Sequence, residues 1–274
     1  MNTPVTAIQI MNSSRAKDKD FQSEFFDHLA HDGWAENLPL RRDFAVLFAY
    51  LAENKVVGTQ GTGNFPLKHV RGITEKFVVP PALEEKIGDK VYRVRSEDEV
   101  SYLAYLHQMA IALGLIQGGH ARRWRVTPEG RGFPDLNPGK QVWIAFCAWW
   151  ALLDWCAAYP FSGLARGLPK DFRRTTHKLL CDQPVEVNLP FDPFAEKLIA
   201  QTGMTWETKV TTIADLILRS AVKAIVIGKL EEFGVIHPDY TRVEKDRHQL
   251  SSFRVTRQGS LMLAGLDPRN LPRN

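Results

Sequence analysis

The chain has 274 residues, of which 44% are hydrophobic and 24% charged, a globular composition that excludes a fibrous or disordered protein. That length allows one large or two modest domains, each with its own core. The net charge of +4 is unevenly spread: residues 1–40 are acidic on balance, while 41–134 and 135–274 each carry a basic surplus. This excess in the folded body favours a polyanionic partner without requiring one.

Residues 1–20 are rich in Ser, Asn, Lys and Asp and have no cleavable apolar core, which predicts a flexible arm on a cytoplasmic chain. Phe21, Phe25, Phe26 and Leu29 suit an amphipathic N-terminal helix. Over 41–54, Phe44, Leu47, Phe48 and Leu51 recur at three- and four-residue steps, one apolar face of a helix. "KVVGTQGTGNF" then reads as a short extended piece and a turn. "PLKHVRGITEKF" (66–77) is a second helix with Pro66 in its first turn, where its missing N–H costs nothing. Residues 78–98 are charged and contain prolines, with a brief strand-like run "KVYRVRS". A third helix runs over 97–115, with acidic residues opening it and Gly114 closing it.

"GLIQ", "GGHA" and "RRWRVT" then predict two strands around a turn, a hairpin over 115–127 closed by "PEGRGF". Helix, short strand, helix, helix and hairpin is the order of a winged helix-turn-helix. The second half repeats its close: helices over 170–180, 192–203 and 211–236, then a longer hairpin over 235–256 that ends in "SSFRVTRQGSLML". The aromatic residue precedes the shared glycine by six positions in both copies, Trp124 to Gly130 and Phe253 to Gly259. The glycine before each hairpin stands ten residues from Trp124 but nineteen from Phe253. A constant strand and a variable loop are what a repeated fold unit shows.

Between the copies, Trp143, Phe146, Trp150 and Leu153 share one helical face. The predicted architecture is therefore mostly α with small β-hairpins: tandem winged helix-turn-helix units over 21–139 and 161–274, joined by a Trp-rich helix over 140–160 that serves as a spine for both. Asp154 and Pro160 interrupt that apolar run, which argues for a buried helix over a membrane span.

On these residues, "LAENKVV…GTGNFPLKHVRGI…EDEVSYLAYLHQMAIALGLI…RRWRVTPEGRGF", the first half resembles the winged-helix region that precedes the motor in XPB-type helicases and their bacterial helicase-associated relatives. The resemblance covers about residues 40–155 and rests on short motifs. The whole chain also resembles bacterial proteins that carry both halves without a motor, which implies an architecture and no activity. The helicase pattern departs here at the nucleotide site. Gly58-x-x-x-x-Gly63 is followed by Asn64 and Phe65 where a phosphate-binding loop places Lys and Ser or Thr, so the stretch reads as a turn.

Other chemistry finds little support. Cys147, Cys156 and Cys181 show no CxxC or paired Cys/His spacing, against a zinc site and a disulfide framework alike. His28 and His31, flanked by Asp27 and Asp32, could share a helix face, but no further ligands accompany them. No G-x-S-x-G elbow is present.

Three expectations of function follow. The first is duplex DNA binding without a cofactor, metal or membrane. In the first unit the reading helix would be 66–77, presenting Lys68, His69 and Arg71, with His120, Arg122, Arg123 and Arg125 on the wing. Of these, Arg123 and Arg125 share the strand face opposite Trp124 and Val126. The second unit would add Lys197 with Arg242, Lys245, Arg247 and His248 at its longer hairpin tip. The alternative is a protein-interaction or scaffold role, expected to show an exposed apolar patch. An enzyme would require a deep pocket with convergent polar groups.

Overall fold

The structure, a computed structural model, describes residues 25–29, 31–156, 167–206, 210–244 and 247–266. The arm expected over 1–20 lies outside them. The chain divides into two units, one built on Asp32–Leu153 and the other on Asp154–Asn274. The described residues are largely helical, with three small antiparallel sheets among them.

In the first unit, α1 (Pro39–Glu53) starts on a proline and buries Leu40, Phe44, Leu47, Phe48 and Leu51, the face its periodicity predicts. β1 (Val56–Val57) and a glycine-rich loop lead to α2 (Leu67–Thr74). α2 is shorter than the expected 66–77, with Pro66 as its cap and a turn after Thr74. Next comes a hairpin of β2 (Glu84–Ile87) and β3 (Lys90–Arg93), paired Glu84 to Arg93 and Ile87 to Lys90. The strand-like "KVYR" thus has a partner that its own alternation does not reveal. α3 (Ser101–Ala112) follows a 3-10 turn at Glu97–Glu99. β4 (Ile116–Gly119) and β5 (Arg122–Val126) form the second hairpin, and β1 adds to β5, giving the order β1-β5-β4. Then come α4 (Pro128–Gly132) and α5 (Pro138–Ala151).

α5 is the expected Trp-rich helix, with two differences. It stops at Ala151 instead of continuing to 160, and every residue from Gln141 to Trp150 is buried, not one face only. It lies within the first unit, where it packs on α1 and α3. A helix apolar all round reads as fully buried, and Asn137 caps it by accepting from the Gly139 and Lys140 N–H groups. Among the described residues no helix is long and apolar enough to cross a membrane.

The second unit follows the same order. α6 (Phe172–Cys181) is followed by β6 (Leu189–Pro190), α7 (Phe191–Thr202) and α8 (Thr211–Val222). α8 passes through a π-helical turn at Lys223–Ile227 into α9 (Gly228–Glu232). β7 (Ile236–Glu244) and β8 (Arg247–Val255) form a hairpin with nine residues on each side, and α10 (Arg257–Gly265) closes the unit. The sheet order is β6-β8-β7, again first, third, second.

The repeated phrase holds the same atomic construction twice. Trp124 pairs with Val56 and Phe253 with Leu189, each aromatic facing the core. Ile116 pairs with Val126, and Ile236 with Val255. The Thr127 hydroxyl donates to the Gly114 carbonyl at 2.8 Å and accepts from the Gly130 N–H at 3.0 Å. The Thr256 hydroxyl donates to the Gly234 carbonyl at 2.8 Å and accepts from the Gly259 N–H at 2.8 Å. Each threonine thus caps the helix after the hairpin and ties it to the glycine before the hairpin. Gly114 and Gly234 have φ of 68° and 67°, the left-handed conformation glycine adopts freely. The duplication explains why "RVT" and the glycine three residues beyond its threonine recur unchanged.

Candidate nucleic-acid interface

The first sheet presents its cations from one strand pairing. Val56 opposite Trp124 and Val57 opposite Arg123 place Lys55 beside Arg125 on the outer face. Val56 and Trp124 are buried on the inner face, so alternation sends Lys55, Arg123 and Arg125 to solvent. Gln117, paired with Arg125, completes that face. Arg122 and His120 lie at the hairpin tip, both exposed. Lys55, Arg122, Arg123 and Arg125 enter no ion pair among the described residues. Lys55 was missed by sequence reading, since only the β1–β5 register makes it a neighbour of the wing arginines.

The tip is braced from behind. The Gly58 N–H donates to the Arg122 carbonyl at 2.9 Å and the Ala121 N–H to the Thr59 carbonyl at 3.3 Å. The Trp124 indole N–H reaches the Gly63 carbonyl at 2.8 Å, and His120 Nδ1 lies 3.2 Å from the Gln60 carbonyl. A Cβ on Gly58 would stand 2.2 Å from the Gly119 carbonyl oxygen, so "GTQGTGN" is built for close backbone approach to the wing. Behind it, Glu97 accepts from the Phe65 N–H and meets His107 Nδ1 at 2.6 Å, with the imidazole stacked on Phe65.

The remaining expected residues are dispersed. On α2, Lys68 and Arg71 are exposed, but His69 is buried and its Nδ1 meets the Tyr50 hydroxyl at 3.0 Å. Burial, and then the charge of Lys68, hold the His69 imidazole below its ordinary value. The expected reading helix over 66–77 is separated from the wing by the helix expected over 97–115. That helix is α3, and its sequence SYLAYLHQMAIA contains no Lys or Arg.

In the second unit Lys197 is exposed on α7, and Arg242 is exposed on β7 opposite His248. Arg247 opens β8 opposite Glu244, and Lys245 lies outside the described residues. The residue equivalent to Arg125 is Arg254, and it is neutralised: its guanidinium lies 3.2 Å from Glu186 and 3.7 Å from Asp239. Arg219 on α8 is likewise held by Asp192 at 3.0 Å and Glu196 at 2.7 Å. Beside it, α8 and the hairpin leave an open groove lined by Leu216, Val243, Phe191 and Leu250, in which Leu216 is 66% and Val243 58% exposed.

All three thiols are held above their ordinary value, which disfavours the thiolate. Burial pushes Cys147 well above the usual thiol range, and burial with the nearby Asp182 charge pushes Cys181 up to about 11. Among the described residues no three His, Cys, Asp or Glu side chains are grouped as metal ligands would be. Compared with family models, curated proteins and solved structures, the chain matches none.

Proposed function

We propose that this chain is a non-enzymatic tandem winged-helix protein whose first unit binds duplex nucleic acid through backbone phosphates. The first-third-second strand order in both units supports the fold reading. The unpaired trio Lys55, Arg123 and Arg125 on one sheet face carries the ligand reading. The contrast with Arg254 sharpens it, because the same position in the second unit is neutralised by its own carboxylates. With no cation on α3, the contacts are to phosphate and the binding is indifferent to base sequence.

Fluorescence anisotropy with labelled duplex DNA at low salt tests this. Three phosphate contacts give a slope of log K against log salt of about −2.7. Arg123→Ala and Arg125→Ala should each flatten that slope by about one unit, and Arg254→Ala should leave it unchanged. Absence of binding at low salt, or equal binding by all three variants, overturns the proposal. A protein-interaction role is the second reading, favoured by exposed Leu216 and Val243 flanking the second unit's groove.

A further inference from the structure

The β2–β3 hairpin projects from the first unit with all eight of its strand residues exposed, including Ile87, Val91 and Tyr92. A lone two-stranded hairpin is marginal in water, and each of its edges offers unpaired backbone groups to another strand. The register identifies those groups. The Val94 N–H donates to the Leu83 carbonyl, so Tyr92 and Lys90, two and four residues earlier, also bond inward to β2. Val91 and Arg93 therefore turn their N–H and C=O groups outward, with Asp89 just before them in the turn.

We infer that this outer edge of β3 pairs with β3 of a second copy of the chain, making a four-stranded sheet ordered β2-β3-β3-β2 about a two-fold axis at Val91. The side chains select this register. An axis at Val91 brings the turn residue Asp89 alongside the second copy's Arg93 twice over, and sets Lys90 opposite the second copy's Tyr92. Opposite charges and a cation over a ring are favourable cross-strand pairs. Arg93 already meets Glu84 through its Nε at 3.1 Å, leaving the terminal guanidinium nitrogens for the second copy's Asp89. The other edge is unsuited: β2 pairing with itself about Glu84, Glu85 or Lys86 places that charge against its own copy. Moving the β3 axis to Lys90 or Arg93 does the same. An axis at Tyr92 avoids repulsion but loses the Asp89–Arg93 pairs.

The test is sedimentation of the full chain over a concentration series reaching about 100 µM, a range suited to a small interface. The wild type should form a dimer. Val91→Pro should be monomeric: the ring removes an outward N–H that β2 does not use, so the hairpin keeps its own bonds. Lys86→Pro, which removes an outward N–H on the other edge, should dimerise as the wild type does. Asp89→Arg should weaken the dimer by about tenfold or more by facing two arginines, and Asp89→Arg with Arg93→Asp should restore it. A monomeric wild type, a Val91→Pro dimer of unchanged affinity, or equal loss with Lys86→Pro overturns the inference. If Val91→Pro lowers the melting temperature, the charge exchange decides: a double variant no tighter than Asp89→Arg alone refutes it.

Discussion

Gly259→Ala gives the sharpest probe of the duplicated close. Gly259 is the third residue of α10, where alanine normally favours a helix by about 1 kcal/mol. Here a Cβ would stand 1.9 Å from the Val235 carbonyl oxygen, 2.6 Å from its carbon and 2.7 Å from its Cα. All three are backbone atoms, and they are held in place: the Thr256 N–H donates to that carbonyl at 3.0 Å and the Thr256 hydroxyl reaches it at 3.2 Å. Relief therefore requires α10 to move off the hairpin. That forfeits the Thr256 cap and part of the packing of Met262 and Leu263, both essentially buried. Overpacking of this kind costs about 1–3 kcal/mol, which outweighs the propensity gain. For a unit of this size each kcal/mol lowers the melting temperature by about 4 °C. With three backbone contacts below 3 Å the overpacking cost falls in the upper half of its range, and net of the propensity gain calorimetry should show a fall of roughly 4–8 °C for Gly259→Ala. Gly132→Ala is the control, because a Cβ there meets nothing within 4 Å. If Gly259→Ala melts at or above the wild type, the two hairpin closes are not rigid and the argument from close approach fails.

Thr127→Val and Thr256→Val each remove the same three bonds, and each should cost about 1 kcal/mol in urea unfolding; unequal losses would show that the two closes are not equivalent. Burial holds the His177 imidazole below its usual value, partly offset by the 2.8 Å contact of Nε2 with the Leu263 carbonyl. Because the unfolded chain takes up that proton first, the stability is complete above about pH 6.5 and is lost as pH falls toward the lowered folded value. His177→Gln should flatten the decline in melting temperature below about pH 6.5. Alkylation at mild alkaline pH should label Cys147 only after denaturation and Cys181 slowly, since both thiols are held protonated. Fast labelling of native Cys147 would contradict its burial.

Reading the sequence located α1, α3 and the paired closes because amphipathic spacing and glycine punctuation are local signals. Their likeness shows in one fixed interval, aromatic to glycine, which the structure traces to Thr127 and Thr256. The expected helix over 140–160 continues through Asp154 because the apolar run resumes beyond it, whereas Leu152, at φ −110°, already caps α5. β2 was missed although Gly88-Asp89 stands between two pairing runs, with Gly88 at φ 60°. Its alternation is masked by charge, because neither face is buried. At the candidate interface Arg123 and Arg125 followed from strand alternation alone. Lys55 and the neutralised state of Arg254 depend on pairings across 68 residues or more, from Lys55 to Arg125 and from Glu186 to Arg254, which no local pattern encodes. His69 looked like a solvent-facing base on α2 because its hydrogen bond partner, Tyr50, lies on another helix.

The brace behind the first hairpin bears on the thermodynamics of contact. Hydrogen bonds from Gly58, Ala121 and Trp124 fasten the tip to the loop over 58–64. The strand backbone beneath Arg122 and Arg123 is consequently fixed before any ligand arrives, and only side-chain freedom is left to lose on association. In the second unit β6 supports only two residues of β8, at Ser252 and Phe253, while the hairpin runs on to Glu244 and Arg247. A polyanion meeting that longer arm would have to immobilise it, an entropic penalty the shorter arm has already met during folding.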